Sequence, residues 1–180
     1  MIQVGQYNEL EVVKELDFGI YFREGDVEIL MPTKWVPQGT KIGDTLNVFV
    51  FRDSDDRLIA TTVKPFATAD TFAFLEAKQV NEIGAFMDWG MDKDLLVPFR
   101  EQAQRMEAGK SYVVFVYVDE PTDRLVGSTK LSRFILLSSI LRFSILHHPL
   151  IHNRFFVNSN LSFHLHEHVL QNLAFYHQYE

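Results

Sequence analysis

Two small sets of side chains in this sequence have the chemistry to hold a single-stranded polynucleotide. One carries the aromatics Phe18 and Tyr21 with the cations Lys14, Arg23 and Arg57. The other carries Phe86 and Trp89 with Lys78, Lys93, Arg100 and Arg124. Aromatic rings stack on bases while neighbouring cations track the phosphates, and each exposed stack contributes roughly 1–3 kcal/mol. Two carboxylate clusters, Asp53-Ser54-Asp55-Asp56 and Asp88…Asp92…Asp94, invite a calcium reading. A calcium loop needs oxygens at set offsets and a closing bidentate Glu; neither cluster has them, so both read as solvated turn acids. The chain has no cysteine, which removes thiolate nucleophiles, thiolate metal sites and disulfides. It has no Gly-rich phosphate loop and no Ser-centred nucleophile motif. We therefore expect a binding protein with no enzymatic activity, no cofactor and no metal centre.

Charge and composition limit the partners. The 180 residues include 24 acids and 17 bases, a formal charge of −7. Phosphate contacts need Lys and Arg, so an acidic chain is a poor general binder of nucleic acid. With 47% apolar and 23% charged residues, the composition is that of a globular protein. No apolar run reaches the roughly 18 residues of a membrane-spanning helix. Met1-Ile2-Gln3-Val4-Gly5 lacks the basic start of a secretory signal, so a cytoplasmic location is expected.

Residue usage changes abruptly after Phe134. All nine Gly precede Lys130, and all seven His follow Leu146. Only Arg142, Arg154, Glu167 and Glu180 carry charge beyond Phe134. The net charge therefore belongs to residues 1–134, and residues 135–180 read as a different kind of segment.

Residues 1–134 contain an internal repeat, which decides the element assignment. Phe18-Gly19-Ile20-Tyr21 matches Ile83-Gly84-Ala85-Phe86, and Ile29-Leu30-Met31-Pro32 matches Leu95-Leu96-Val97-Pro98. Gly43 matches Gly109, and Leu46-Asn47-Val48-Phe49-Val50 matches Tyr112-Val113-Val114-Phe115-Val116. Asp56-Arg57-Leu58-Ile59-Ala60 matches Asp123-Arg124-Leu125-Val126-Gly127, with the offset drifting only from 65 to 67 residues.

Each repeat predicts five strands: residues 7–16, 19–22, 28–32, 45–52 and 58–62, then 72–81, 85–89, 94–98, 111–119 and 125–129. The period-2 pattern is clearest at Leu46, Val48 and Val50, which share one face. Asp53-Ser54-Asp55-Asp56 and Glu120-Pro121-Thr122-Asp123 are turn chemistry, so the last two strands form a hairpin each time. Gly19 and Gly84 begin an apolar strand where a small barrel needs a tight bend. Pro32 and Pro98 end the third strand, since Pro cannot donate to the ladder. Residues 100–106 predict one or two helical turns. The fold class is therefore all-β: two tandem five-stranded OB-fold barrels, residues 1–65 and 66–134, then an atypical tail, residues 135–180, either helical or without fixed structure.

Two stretches carry a family resemblance. Asp17-Phe18-Gly19-Ile20-Tyr21-Phe22, Glu28-Ile29-Leu30-Met31-Pro32, Gly43-Asp44 and Arg57-Leu58-Ile59-Ala60-Thr61-Thr62 resemble the S1-type RNA-binding domain. Asn81-Glu82-Ile83-Gly84-Ala85-Phe86-Met87-Asp88-Trp89-Gly90, with Lys93 to Gln102 after it, resembles the conserved virulence factor B family. The resemblance covers residues 1–134 and implies a regulatory, RNA-binding protein. It also implies a third S1-type barrel and a winged helix, neither of which is recognisable after Phe134. The S1 pattern commonly has a His on the third strand, where this sequence has Met31 and Val97.

Each site residue has a plainer reading. Phe18 and Phe86 are balanced between base stacking and burial, whereas Tyr21 and Trp89, which flank turns, are expected to be exposed. Arg57 and Arg124 are expected to brace the acidic hairpins before they meet phosphate. Binding of single-stranded RNA should be weak and salt-sensitive. The alternatives are a scaffold that docks protein partners, with RNA bound elsewhere, and an inactive truncated product. In the tail, His147-His148, His152 and His164-Leu165-His166-Glu167-His168 suggest zinc. Alternate His share a face only on a strand, and the zinc-protease helix spacing is missing. A shifted reading frame after about Phe134 accounts for this composition better.

Overall fold

The computed structural model describes residues 1–134. Residues 135–180, with the His-rich stretch and the shifted-frame reading, lie outside the described residues.

The first repeat comprises β1 (Tyr7–Leu16), β2 (Gly19–Glu24), β3 (Val27–Pro32), β4 (Thr45–Arg52) and β5 (Leu58–Thr61). These close into a barrel in the order β1-β2-β3-β5-β4. All pairs are antiparallel except β3 with β5, where Leu30 pairs with Ile59 and seals the ring. The second repeat comprises β6 (Thr71–Val80), β7 (Gly84–Met87), β8 (Leu95–Pro98), β9 (Ser111–Asp119) and β10 (Arg124–Ser128), in the order β10-β9-β6-β7-β8.

The second ring differs from the expected closed cylinder, because β8 and β10 share no hydrogen-bonded ladder. The cause lies in its second hairpin. β2 and β3 have six residues each around a two-residue turn, Gly25-Asp26. β7 and β8 are cut to four each, and residues 88–94 form the loop between them. The shortened β8 meets β10 through side chains instead: a Cβ on Gly127 would stand 2.8 Å from Val97 Cγ2.

The repeat holds down to single hydrogen bonds. β1 has a bulge between Val12 and Lys14, and β6 has one between Ala77 and Gln79. Gly43 N–H donates to Val12 O at 2.8 Å, and Gly109 N–H to Ala77 O at 2.7 Å. Pro32 and Pro98 each lead into a single 3-10 turn, Thr33–Trp35 and Phe99–Glu101. The expected helix over residues 100–106 is thus one turn that starts a residue earlier. It ends at Gln102, whose backbone is extended and whose side chain donates to the Val97 carbonyl and accepts from the Met106 amide.

Two apolar cores form. Leu10, Val12, Ile20, Phe22, Ile29, Met31, Val48, Val50 and Ala60 fill the first barrel. The other core crosses the junction, joining Phe49, Phe51 and Ile59 to Leu75, Met87, Trp89, Leu95 and Val97. β4 is therefore buried on both faces, with Val48 and Val50 turned inward. Phe49 and Phe51 point outward and are still only 0% and 8% exposed, because the second barrel covers them. Burying a Phe side chain contributes about 1.5–3 kcal/mol, so the junction is part of the fold's stability.

Polar contacts ring this junction. Arg52 pairs with Asp123 at 2.6 Å, and Arg124 returns the contact to Asp56 at 2.5 Å. Asp56 and Asp123 hold matching left-handed positions, φ 60° and 52°, in the two hairpin turns. Among residues with a Cβ, short polar ones such as Asp tolerate that conformation best. Lys34 also reaches across to Asp92.

Candidate nucleic-acid interface

On the first barrel, the β1–β2 register places Lys14 opposite Tyr21. The Lys14 ammonium sits 4.8 Å from the centre of the Tyr21 ring. Phe18, 57% exposed, meets Tyr21 edge-on with ring centres 6.2 Å apart. Lys14, Phe18 and Tyr21 thus form one aromatic and cationic patch. Arg57 lies within electrostatic reach of Tyr21, but its strongest partner is Asp53, at 2.7 Å. Burial works to raise the Asp53 carboxyl. The Arg57 guanidinium and the Arg57 and Asp55 amides together outweigh it and hold the carboxyl below its ordinary range. Arg23 pairs with Glu28 at 2.7 Å, and that pair, with Lys14 nearby, holds the Glu28 carboxyl low.

On the second barrel, Phe86 is half-buried at the position equivalent to Tyr21. It lines a groove of ≈ 410 Å³ between the β7–β8 hairpin and the β4–β5 turn of the first barrel. Ile83, Leu96, Lys93, Arg100 and Arg124 line the same groove. Lys93 makes no ion pair among the described residues, whereas Arg100 pairs with Asp119 at 2.9 Å.

Several expected roles change. Trp89 is not exposed: it is 4% accessible, meets Phe49 edge-on with ring centres 6.0 Å apart, and its indole N–H donates to the Lys93 carbonyl. It is buried because the neighbouring barrel covers its loop, so it positions the groove wall and presents no open face to a base. Lys78 is held by Asp94 and Asp88, at 3.1 and 3.3 Å, and the Asp94 contact foremost raises its pKa. It clamps the two ends of the 88–94 loop. Arg57 braces its own hairpin, as anticipated, but Arg124 braces the hairpin of the other repeat. Of the turn acids, Asp53, Asp56, Asp88, Asp92 and Asp94 all hold cations of this chain.

The groove also contains residues that sequence reasoning missed. Ile83 is 57% exposed, as is Phe18, its counterpart in the repeat; that match was already visible in the aligned copies. Arg52 and Leu96 had no such signal, because their place depends on how the two barrels meet.

A five-stranded antiparallel ring sealed by one parallel pair, followed by a second five-stranded sheet of the same strand order with the same bulge and glycine, defines a tandem OB-type barrel protein. The sequence pattern of the S1 domain matches residues 4–63 and again residues 71–130, and the chain belongs to the S1 domain family. It is 32% identical over 94 residues to YitL of Bacillus subtilis, a member of the conserved virulence factor B family. That stretch is 52% of this chain and 32% of YitL, so the match spans about a third of the relative. Among solved structures, a multidomain protein with nucleic acid binding domains from Streptococcus pneumoniae superposes with a TM-score of 0.60 at 22% identity. The superposition covers 69% of this chain and 45% of that one, and it shows the fold.

Proposed function

We propose that this protein is a non-catalytic regulatory protein that binds single-stranded RNA in the cytoplasm. The observation that carries this reading is the Lys14–Tyr21–Phe18 patch: a half-buried ring, an exposed ring edge-on beside it, and an ammonium 4.8 Å from the first ring's centre. Membership of the S1 domain family and the nucleic acid binding domains named for the Streptococcus pneumoniae protein support it. Phe86 in the groove offers a further stack, with Lys93, which makes no ion pair among the described residues, as its cation.

Affinity should be low, because five of the candidate cations are already paired with carboxylates of the chain. If Lys14 and Lys93 alone neutralise phosphates, log affinity falls with log salt at a slope of about −1.4. The test is binding of labelled poly-U and poly-A to the full chain across a salt series. Tyr21→Ala and Phe86→Ala should each weaken binding roughly 5- to 150-fold, the equivalent of one lost stack. No binding at low salt, or binding unchanged by both substitutions, would favour a protein-docking scaffold instead.

A further inference from the structure

In both repeats the third strand ends on a proline and enters a 3-10 turn whose aromatic ring carries a cation, and the two copies are used differently. In the first, the Lys34 ammonium sits 4.3 Å from the centre of the Trp35 ring. The fold absorbs that pair. Trp35 meets Phe51 edge-on, with ring centres 6.3 Å apart, and Lys34 reaches Asp92 across the junction. In the second, the Arg105 guanidinium lies 4.5 Å from the centre of the Phe99 ring. Arg105 is exposed, and among the described residues it makes no ion pair.

The Phe99–Arg105 pair stands at one end of the Phe86 groove. Phe99 directly follows Pro98, which lines the groove, and its N–H donates to the carbonyl of Ile83, another lining residue, at 3.4 Å. The first barrel makes the same bond from Thr33 to Phe18, at 3.1 Å, with a threonine in place of the ring. Lys93 lies at the other end of the groove, just before β8 begins. The chain from Lys93 to Phe99 spans at most about 20 Å. A stacked strand advances about 3.4 Å per nucleotide, so this length suits several nucleotides and exceeds one. An arginine stacked on a ring spends none of its N–H donors there, whereas Arg100 and Arg124 have donors committed to Asp119 and Asp56.

We propose, on the basis of the single-stranded RNA reading above, that Arg105 contacts a phosphate at the end of the Phe86 groove remote from Lys93. The second barrel then holds a run of several nucleotides between two cations, with Phe86 and Ile83 along the way. It is the main seat of the strand, because the corresponding pair of the first barrel is spent on the junction.

The test titrates labelled poly-U against the full chain across a salt series, in the parent, Arg105→Gln and Arg105→Lys. With Arg105 joining Lys14 and Lys93, log affinity should fall with log salt at a slope of about −2.1 in the parent. Arg105→Gln should return the slope to about −1.4 and weaken binding roughly eightfold at about 50 mM salt, a loss that fades as salt rises. Arg105→Lys keeps the charge and should keep the parent slope. A slope unchanged by Arg105→Gln, or lowered equally by Arg105→Lys, overturns the role of Arg105 and leaves the RNA reading standing. Absence of parent binding at low salt overturns both.

Discussion

Gly19 lies so close to Met31 that a Cβ at Gly19 would stand 2.2 Å from the Met31 carbonyl oxygen, and Gly84 stands in the same relation to Val97 at 2.3 Å. Both glycines open the second strand of their barrel, opposite Pro32 and Pro98. The obstacle is backbone, which cannot swing away. Gly19→Ala and Gly84→Ala should each destabilise the fold by about 1–3 kcal/mol through overpacking, read as a lower urea midpoint at unchanged slope.

Phe86 and Trp89 are three residues apart yet should separate binding from stability. Trp89 is buried in the junction core, so Trp89→Ala should cost about 3–5 kcal/mol. Phe86 faces the groove, and Phe86→Ala should leave a much smaller mark on the urea midpoint while weakening RNA binding. Equal effects on stability would remove Phe86 from the interface.

The Arg52–Asp123 and Arg124–Asp56 contacts are partly solvated, and such pairs contribute about 0–1 kcal/mol each. Arg52→Ala combined with Arg124→Ala should therefore lower stability only slightly in dilute buffer. In 1 M salt, where the screening length is about 3 Å, the difference from the parent should disappear. A large loss that survives salt would mean that the arginine stems pack as well as pair.

Tyr117 provides a pH signature. Burial, then the charge of Glu101, pushes its phenol up to about 12, against about 10 for an exposed tyrosine. The folded state thus holds this proton more tightly than the unfolded chain. The stability it contributes is complete below pH 10 and is lost as pH rises from about 10 to 12. Tyr117→Phe should flatten the fall in urea midpoint over that interval, and phenolate absorbance should lose one late-titrating tyrosine.

Much of the barrel framework was visible in the repeat itself. Glycines, prolines and hairpin acids recur at a near-constant offset, and local turn chemistry marks where each strand stops. The junction was harder to see. Val48 and Val50 mark one buried face of β4, but Phe49 and Phe51 on the other face show that the run from Val48 to Phe51 is apolar throughout. Such a run signals cover on both sides, without saying what provides the cover. Trp89 was misjudged for the same reason: its loop flanks a turn in its own barrel and is buried only by the neighbour. The partner of Arg124 lay out of reach too, since nothing local distinguishes its own hairpin from the one 68 residues away.

The double-sided burial of β4 has a consequence for any polynucleotide that engages both barrels. Because β4 packs into both cores, the separation of the Tyr21 station and the Phe86 station is set by one packed junction. An oligomer long enough to bridge the two gains the high effective concentration of a tethered second contact, and a shorter one gains nothing from it. The tandem would then act as a calliper, sorting single strands by length before sequence.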